Sequence, residues 1–240
     1  MKFKQLILYF LVLLFIFNPL CKLSILGKNT NGNHTYKNKY WLTLGDSITK
    51  VGTYQNNLSN MFKEIDNKGV NGQTIAYQNK NTSTYSLGKT IDYKKYDLVT
   101  IFIGTNDFRY HKPLGTLKNI NSTDFDDKTY FGAYQLLIEY IKKSNPDIEI
   151  ILITPIQRTK DGFDIHYFNK ENNQLIDYVN ATKKLAHLYS LPVIDLYAES
   201  GITKQNIDIY TKDGLHPNEK GYELISQRIQ NFLLEHNKMD

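Results

Sequence analysis

The chain has 240 residues, 41% hydrophobic and 22% charged, with a formal net charge of +5. These are values of a globular protein with enough apolar residues for one ordinary core. Lys2, Lys4 and Lys22 carry three of the positive charges and no acid stands among residues 1–27, so the remaining body is close to neutral. That excludes the basic footprint of a nucleic-acid-binding protein, and a single cysteine, Cys21, excludes an intrachain disulfide.

The N-terminus reads as a targeting segment. Lys2 and Lys4 precede "LILYFLVLLFIF", an unbroken apolar run from Leu6 to Phe17 that Asn18 and Pro19 interrupt. The run has signal-peptide length and falls short of the ~20 residues of a comfortable membrane span. Continued through Leu20 to Leu26, it makes an uncleaved anchor. Cys21 raises a lipid attachment, although "NPLC" lacks the small residues expected before a lipidated cysteine. Cleavage, retention and lipidation all place the folded part outside the cytoplasm, with membrane contact if the segment is retained. Residues 28–39, "KNTNGNHTYKNK", are polar and aperiodic and read as a linker. Residues 40–240 are expected to be one domain and a monomer.

From Tyr40, apolar strands and amphipathic helices alternate. "YWLTL" is the first strand. "YQNNLSNMFKEI" (Tyr54–Ile65) has helical spacing, with Leu58, Met61, Phe62 and Ile65 on one face. "GVNGQTI" places glycines around a short apolar piece after a second strand region. "DLVTIFIG" (Asp97–Gly104) is β-branched and apolar on both faces. "YFGAYQLLIEYIKKS" (Tyr130–Ser144) is a helix with Phe131, Tyr134, Leu137, Ile138 and Ile141 inward, and "IEIILITP" (Ile148–Pro155) is a buried strand. "NKENNQLIDYVNATKKLAHLYS" is a helix, "LPVIDLY" a short last strand, and "HPNEKGYELISQRIQNFLLEH" a closing helix with Tyr222, Ile225, Ile229 and Leu233 toward the core. Strands apolar on both faces imply a mainly parallel, five-stranded sheet covered on both sides, a three-layer α/β sandwich. Sites in such sheets form at the carboxyl ends of the strands.

Three stretches at those ends carry candidate chemistry. In "GDSIT" a buried strand breaks into Gly45, Asp46 and Ser47. It is a strand-to-helix turn, a nucleophile turn, or both, and Asp46 is expected to brace it by hydrogen bonds. In "GTND" (Gly104–Asp107), Asn106 is either a turn former or an uncharged donor for a developing oxyanion, and Gly72 lets a backbone N–H approach the same point. In "DGLHP" (Asp213–Pro217), Asp213 and His216 stand three apart in a loop entering a helix. The acid could cap that helix. It could also orient the imidazole, which is the base a serine hydroxyl needs.

Together the three stretches resemble the GDSL/SGNH hydrolase family, with Ser47, Gly72, Asn106 and Asp213/His216 in that family's order and Gly69 a neighbouring candidate for the glycine. The resemblance covers nearly all of Tyr40 to Asn237. It implies a flavodoxin-like sheet, a serine acyl-ester mechanism and no metal or other cofactor. Ser47, Asp213 and His216 become the catalytic residues, and the oxyanion hole comprises Ser47, Gly72 and Asn106. The chain also lacks H-E-x-x-H and C-x-x-C. The expected substrate is a short acyl ester, such as an O-acetyl group on a cell-envelope carbohydrate. A lysophospholipid and acyl transfer to a sugar hydroxyl are the alternatives. Most of the eighteen tyrosines, and Trp41, are expected to serve packing rather than sugar stacking.

Overall fold

The computed structural model describes residues 36–78 and 83–236. Five strands form one sheet: β1 (Tyr40–Gly45), β2 (Glu64–Gly69), β3 (Leu98–Phe102), β4 (Glu149–Ile153) and β5 (Val193–Ile194). Their order is β2-β1-β3-β4-β5 and every neighbouring pair is parallel. The helices are α1 (Ser47–Lys50), α2 (Thr53–Asn57), α3 (Thr84–Gly88), α4 (Thr105–Arg109), α5 (Tyr130–Ser144), α6 (Leu175–Leu188), α7 (Leu196–Glu199), α8 (Ile207–Tyr210) and α9 (Glu219–His236). The result is the expected three-layer α/β sandwich, with flavodoxin-like strand order.

The strand faces explain the layers. β3 is buried at every position, so both its faces need cover. On one face Val99 and Ile101 pack with Tyr134, Leu137 and Ile138 of α5 and Tyr178 and Leu185 of α6. On the other, Leu98 and Phe102 pack with Trp41 and with Ile225, Ile229 and Leu233 of α9. Trp41 is fully buried, with its indole N–H donating to Thr100 Oγ1 at 3.0 Å. Tyr54, Tyr93, Tyr130, Tyr134, Tyr178 and Tyr222 are likewise core residues. The packed body reaches back to Tyr36, ahead of the boundary expected at Tyr40, because that ring lies 5.3 Å from Phe62.

One expected helix is broken. Tyr54–Ile65 is not continuous: α2 ends at Asn57, a 3-10 turn covers Ser59–Met61, and Phe62 is extended at φ −121°, ψ 160°. Ile65 then lies in β2, paired with Trp41. Leu58, Met61 and Phe62 are all buried in one cluster, so their spacing is real. The sequence hides β2 because an edge strand needs no continuous apolar run, and "EIDNKG" has none. The "GVNGQTI" piece leaves β2 at Gly69 and continues as a loop, with Ile75 and Ala76 buried. The expected helix at 169–190 starts only at Leu175, where Asp177 Oδ2 accepts from the Gln174 N–H at 2.7 Å. The targeting segment, Cys21 and all of the linker before Tyr36 lie outside the described residues. Among the described residues, no helix is long and apolar enough to cross a membrane.

Candidate active site

β1 and β3 adjoin at the point where the order of connection reverses, and crevices open above such points. Gly45 ends β1 there. A Cβ on it would come within 2.2 Å of Thr49 Oγ1 and 2.5 Å of the Phe102 carbonyl oxygen. Only glycine lets α1 fold back this closely over the strand. Asp46 braces the turn as expected, its carboxylate accepting from the Ile48 N–H at 2.9 Å. Burial raises its pKa from the ordinary 3.8 to about 7, against the lowering effect of that bond. Ser47 is the first residue of α1, so its own N–H has no partner within the helix. Tyr222 of α9 donates to the Ile48 carbonyl at 2.9 Å and fixes the short helix.

The Asp213–His216 turn comes from the other end of the chain. Leu215 anchors it in the core at 3% exposure. Asp213 Oδ1 accepts from the Leu215 and His216 N–H groups at 3.2 and 2.8 Å. Asp213 Oδ2 stands 2.8 Å from His216 Nδ1, and His216 Nε2 stands 2.9 Å from Ser47 Oγ. The two ring nitrogens therefore face an acid and a hydroxyl, the geometry in which a base is oriented and a serine activated. Lys160 Nζ also donates to Asp213 Oδ2. Burial opposes ionisation of Asp213, but Lys160 and then the His216 N–H and imidazole hold its carboxyl well below the usual range.

The third wall joins the Gly72 loop to α4. The Asn106 amide donates to the Gln73 carbonyl at 3.0 Å. An amide nitrogen carries two hydrogens, so one remains for another acceptor. Asp107 clamps the same loop, accepting from the Ile75 N–H at 3.0 Å and the Ala76 N–H at 3.1 Å. Burial raises Asp107 from 3.8 to about 7, against those backbone bonds. Gly72 adopts φ +71°, the left-handed region that favours glycine. The two glycines of this region divide the work. A Cβ on Gly69 would reach within 2.3 Å of the Lys50 nitrogen, a packing constraint, whereas Gly72 lines the cleft. Ser47, Gly72, Asn106, Asp213 and His216 all line one cleft of about 600 Å³, with Val51, Asn71, Arg109, Tyr110, Lys160, Lys212, Leu215 and Pro217.

The GDSL-like lipase/acylhydrolase family model matches residues 43–224, a span that contains all five of these residues. The chain belongs to that family. It is an ester hydrolase of GDSL type. A Lactobacillus plantarum protein of known structure is 25% identical, over 83% of this chain and 98% of its own, with a TM-score of 0.72. A "possible lipase" from Chitinophaga pinensis is 22% identical over 83% and 99%, with a TM-score of 0.66. A GDSL-like lipase from Bacteroides thetaiotaomicron is 20% identical over 83% and 89%, with a TM-score of 0.60. The last two likenesses concern the fold. No functionally curated protein sequence matches the chain.

Four residues around this GDSL-type site, Asp107, Arg158, Thr159 and Lys160, escaped the sequence reading. Asp107 sits inside a stretch that was recognised, and its signal was an acid at the exit of a fully apolar strand. Arg158 follows "ILITPIQ" and is fully buried. Its guanidinium donates to Thr105 Oγ1 at 3.0 Å, the Thr105 carbonyl at 3.2 Å and the Lys160 carbonyl at 3.3 Å, while its Nε has no partner. Burial lowers its pKa to about 10. The Thr159 and Lys160 N–H groups both donate to the Gly214 carbonyl, at 2.8 and 3.2 Å. Residues 158–160 thus hold the Asn106 turn with one side chain and the Asp213 turn with their backbone. Among the described residues no group of three His, Cys, Asp or Glu side chains could hold a metal ion.

Proposed function

We propose that the protein cleaves short acyl esters through an acyl-serine on Ser47. The observation that carries the reading is the unbroken contact chain Ser47 Oγ–His216–Asp213, at 2.9 and 2.8 Å, beside the Asn106 amide. His216 Nε2 takes the hydroxyl proton as Ser47 Oγ attacks the carbonyl carbon. The carbonyl oxygen gathers charge against the Asn106 amide and the N–H groups of Ser47 and Gly72. The tetrahedral intermediate collapses and the alcohol leaves with the proton from His216. Water, deprotonated by the same nitrogen, then releases the acid. Asp213 keeps the imidazole in the tautomer this requires.

Wall chemistry favours a short acyl group. Among the described residues of the lining, Val51, Tyr110, Leu215 and Pro217 carry the apolar side chains. A long chain gains about 0.8 kcal/mol for each CH₂ it buries, and this cleft offers little surface for that gain. An O-acetyl group on a cell-envelope carbohydrate fits both the cleft and a domain delivered beyond the cytoplasm by residues 1–27. The test is hydrolysis of p-nitrophenyl acetate, butyrate and octanoate by the fragment from Lys28, with and without a sugar acceptor. Acetate is expected to be the best substrate and water the acceptor. Preference for octanoate overturns the short-acyl assignment, and acylated sugar as the main product makes the enzyme an acyltransferase.

A further inference from the structure

We infer that the alcohol portion of the substrate carries a negative charge, a carboxylate or a phosphate, close to the ester. The inference rests on the reading of the Ser47 cleft as the ester-cleaving site, and goes beyond it by assigning the charge of the molecule bound there.

Three cations, Arg109, Lys160 and Lys212, line the cleft against one acid, Asp213. The charge of Asp213 is already engaged by Lys160, the imidazole and two backbone N–H groups. Arg109 uses one guanidinium nitrogen on Asp161 at 3.2 Å, and its side chain stays 36% exposed. Its remaining donors keep the planar fork that matches carboxylate and phosphate oxygens. Lys212 stands exposed beside Asp213. The placement is as telling as the count. Asn106 and Arg109 are three apart on α4, so they share a face, with the guanidinium one turn from the amide. Lys212 lies across the cleft on the Asp213 turn. An ester held between Ser47 and Asn106 thus has a cation on either side.

The cationic excess is larger in this cleft than in two other hollows among the described residues, one of which, about 680 Å³ beside α5, has Lys142 and Lys143 against Glu139. The body of the chain is nearly neutral, and the other hollow, about 620 Å³ between α2 and α9, has Glu219 and Glu223 and no cation among the described residues of its wall. Cations gathered in a crevice raise the local concentration of anions and speed their arrival, and salt screens the effect. A hydrocarbon has nothing to gain from these side chains. A charged sugar gains ion pairs, and the Tyr110 ring, 38% exposed at the same wall, offers it a flat face.

The test uses full-length Ser47→Ala protein, which binds ester without cleaving it, and isothermal calorimetry with three probes. They are a monoacetylated methyl glucoside, a monoacetylated methyl glucuronoside and a monoacetylated glucose 6-phosphate. At about 0.02 M salt at least one charged probe is expected to bind ~10-fold or more tightly than the neutral one, an advantage that fades toward parity near ~0.5 M salt. The tighter of the two charged probes identifies carboxylate or phosphate. Adding Lys212→Glu is expected to cut the charged-to-neutral ratio several-fold. Equal binding of neutral and charged probes, or a preference indifferent to both salt and Lys212→Glu, overturns the inference. Wild-type protein that hydrolyses none of the p-nitrophenyl esters overturns the ester-cleaving reading instead, and the binding ratio still decides the question of charge.

Discussion

Asn106 stands just beyond the end of a buried strand and is 4% exposed, whereas His216 stands on a turn outside the sheet with its side chain 30% exposed. Both line the cleft with Ser47, but different forces hold them. The Asn106 wall is set by the core. The register of β1 and β3 sets Gly45 opposite Phe102, and Asp107 draws the Gly72 loop onto α4. The His216 wall is set by one carboxylate, which accepts two backbone N–H groups, the imidazole and the Lys160 ammonium. The first wall resists displacement because moving it disturbs close packing. The second depends on a charge network that one substitution can dismantle.

That contrast orders the expected effects. His216→Ala removes the proposed base and is expected to lower kcat by on the order of 10⁵-fold, with the fold intact by circular dichroism. Asp213→Asn is expected to cost less, about 10³-fold. The side-chain oxygen that this change keeps can still accept from the Leu215 and His216 N–H groups and hold the turn, so only the charge network is lost, whereas a fully buried orienting acid costs ~10⁴ when changed this way. Wild-type rates in Asp213→Asn would reduce Asp213 to a helix cap. On the buried wall, Asn106→Ala removes one proposed oxyanion donor and is expected to lower kcat a few hundred-fold, with KM changed much less. A rise in KM with kcat intact would mean that Asn106 binds the ground state only.

These two walls were not equally legible in the sequence. Asn106 and Gly72 could be proposed because an amide and a glycine at strand ends are chemically unusual. Asp213 and His216 could be proposed because their spacing suits one turn. The partners that hold them could not. Lys160 meets Asp213 across a separation of 53 residues, and nothing in the local pattern of either segment announces the pair. Arg158 looked like a polar residue after a strand, and only the folded chain shows it fully buried against Thr105. The layers were readable because β3, β4, α5 and α9 carry strong apolar patterns. β2 was hidden because a polar edge strand has no such pattern, and Leu58, Met61, Phe62 and Ile65 have the spacing of one helix face.

The smallest expected effect concerns stability of the buried wall. Asp46 and Asp107 have pKa values raised by burial from 3.8 to about 7. The folded form thus holds their protons more tightly than the unfolded chain. Their contribution to stability is full below about pH 3.8 and is lost as pH rises through about 7. Asp46→Asn keeps a good helix cap but cannot ionise. Its Tm is expected to fall less than that of wild type between acid and neutral pH, by a few degrees. Identical slopes in differential scanning calorimetry would show that Asp46 ionises freely in the fold.

The central claim is that His216 activates Ser47 as a nucleophile, and covalent labelling tests it most directly. Treatment with diethyl p-nitrophenyl phosphate, followed by intact-mass and peptide mass spectrometry, is expected to place one diethylphosphoryl group on Ser47, with complete loss of esterase activity. His216→Ala protein is expected to label slowly or not at all. Full inactivation with Ser47 unmodified, or labelling of Ser47 at the same rate without His216, contradicts the account.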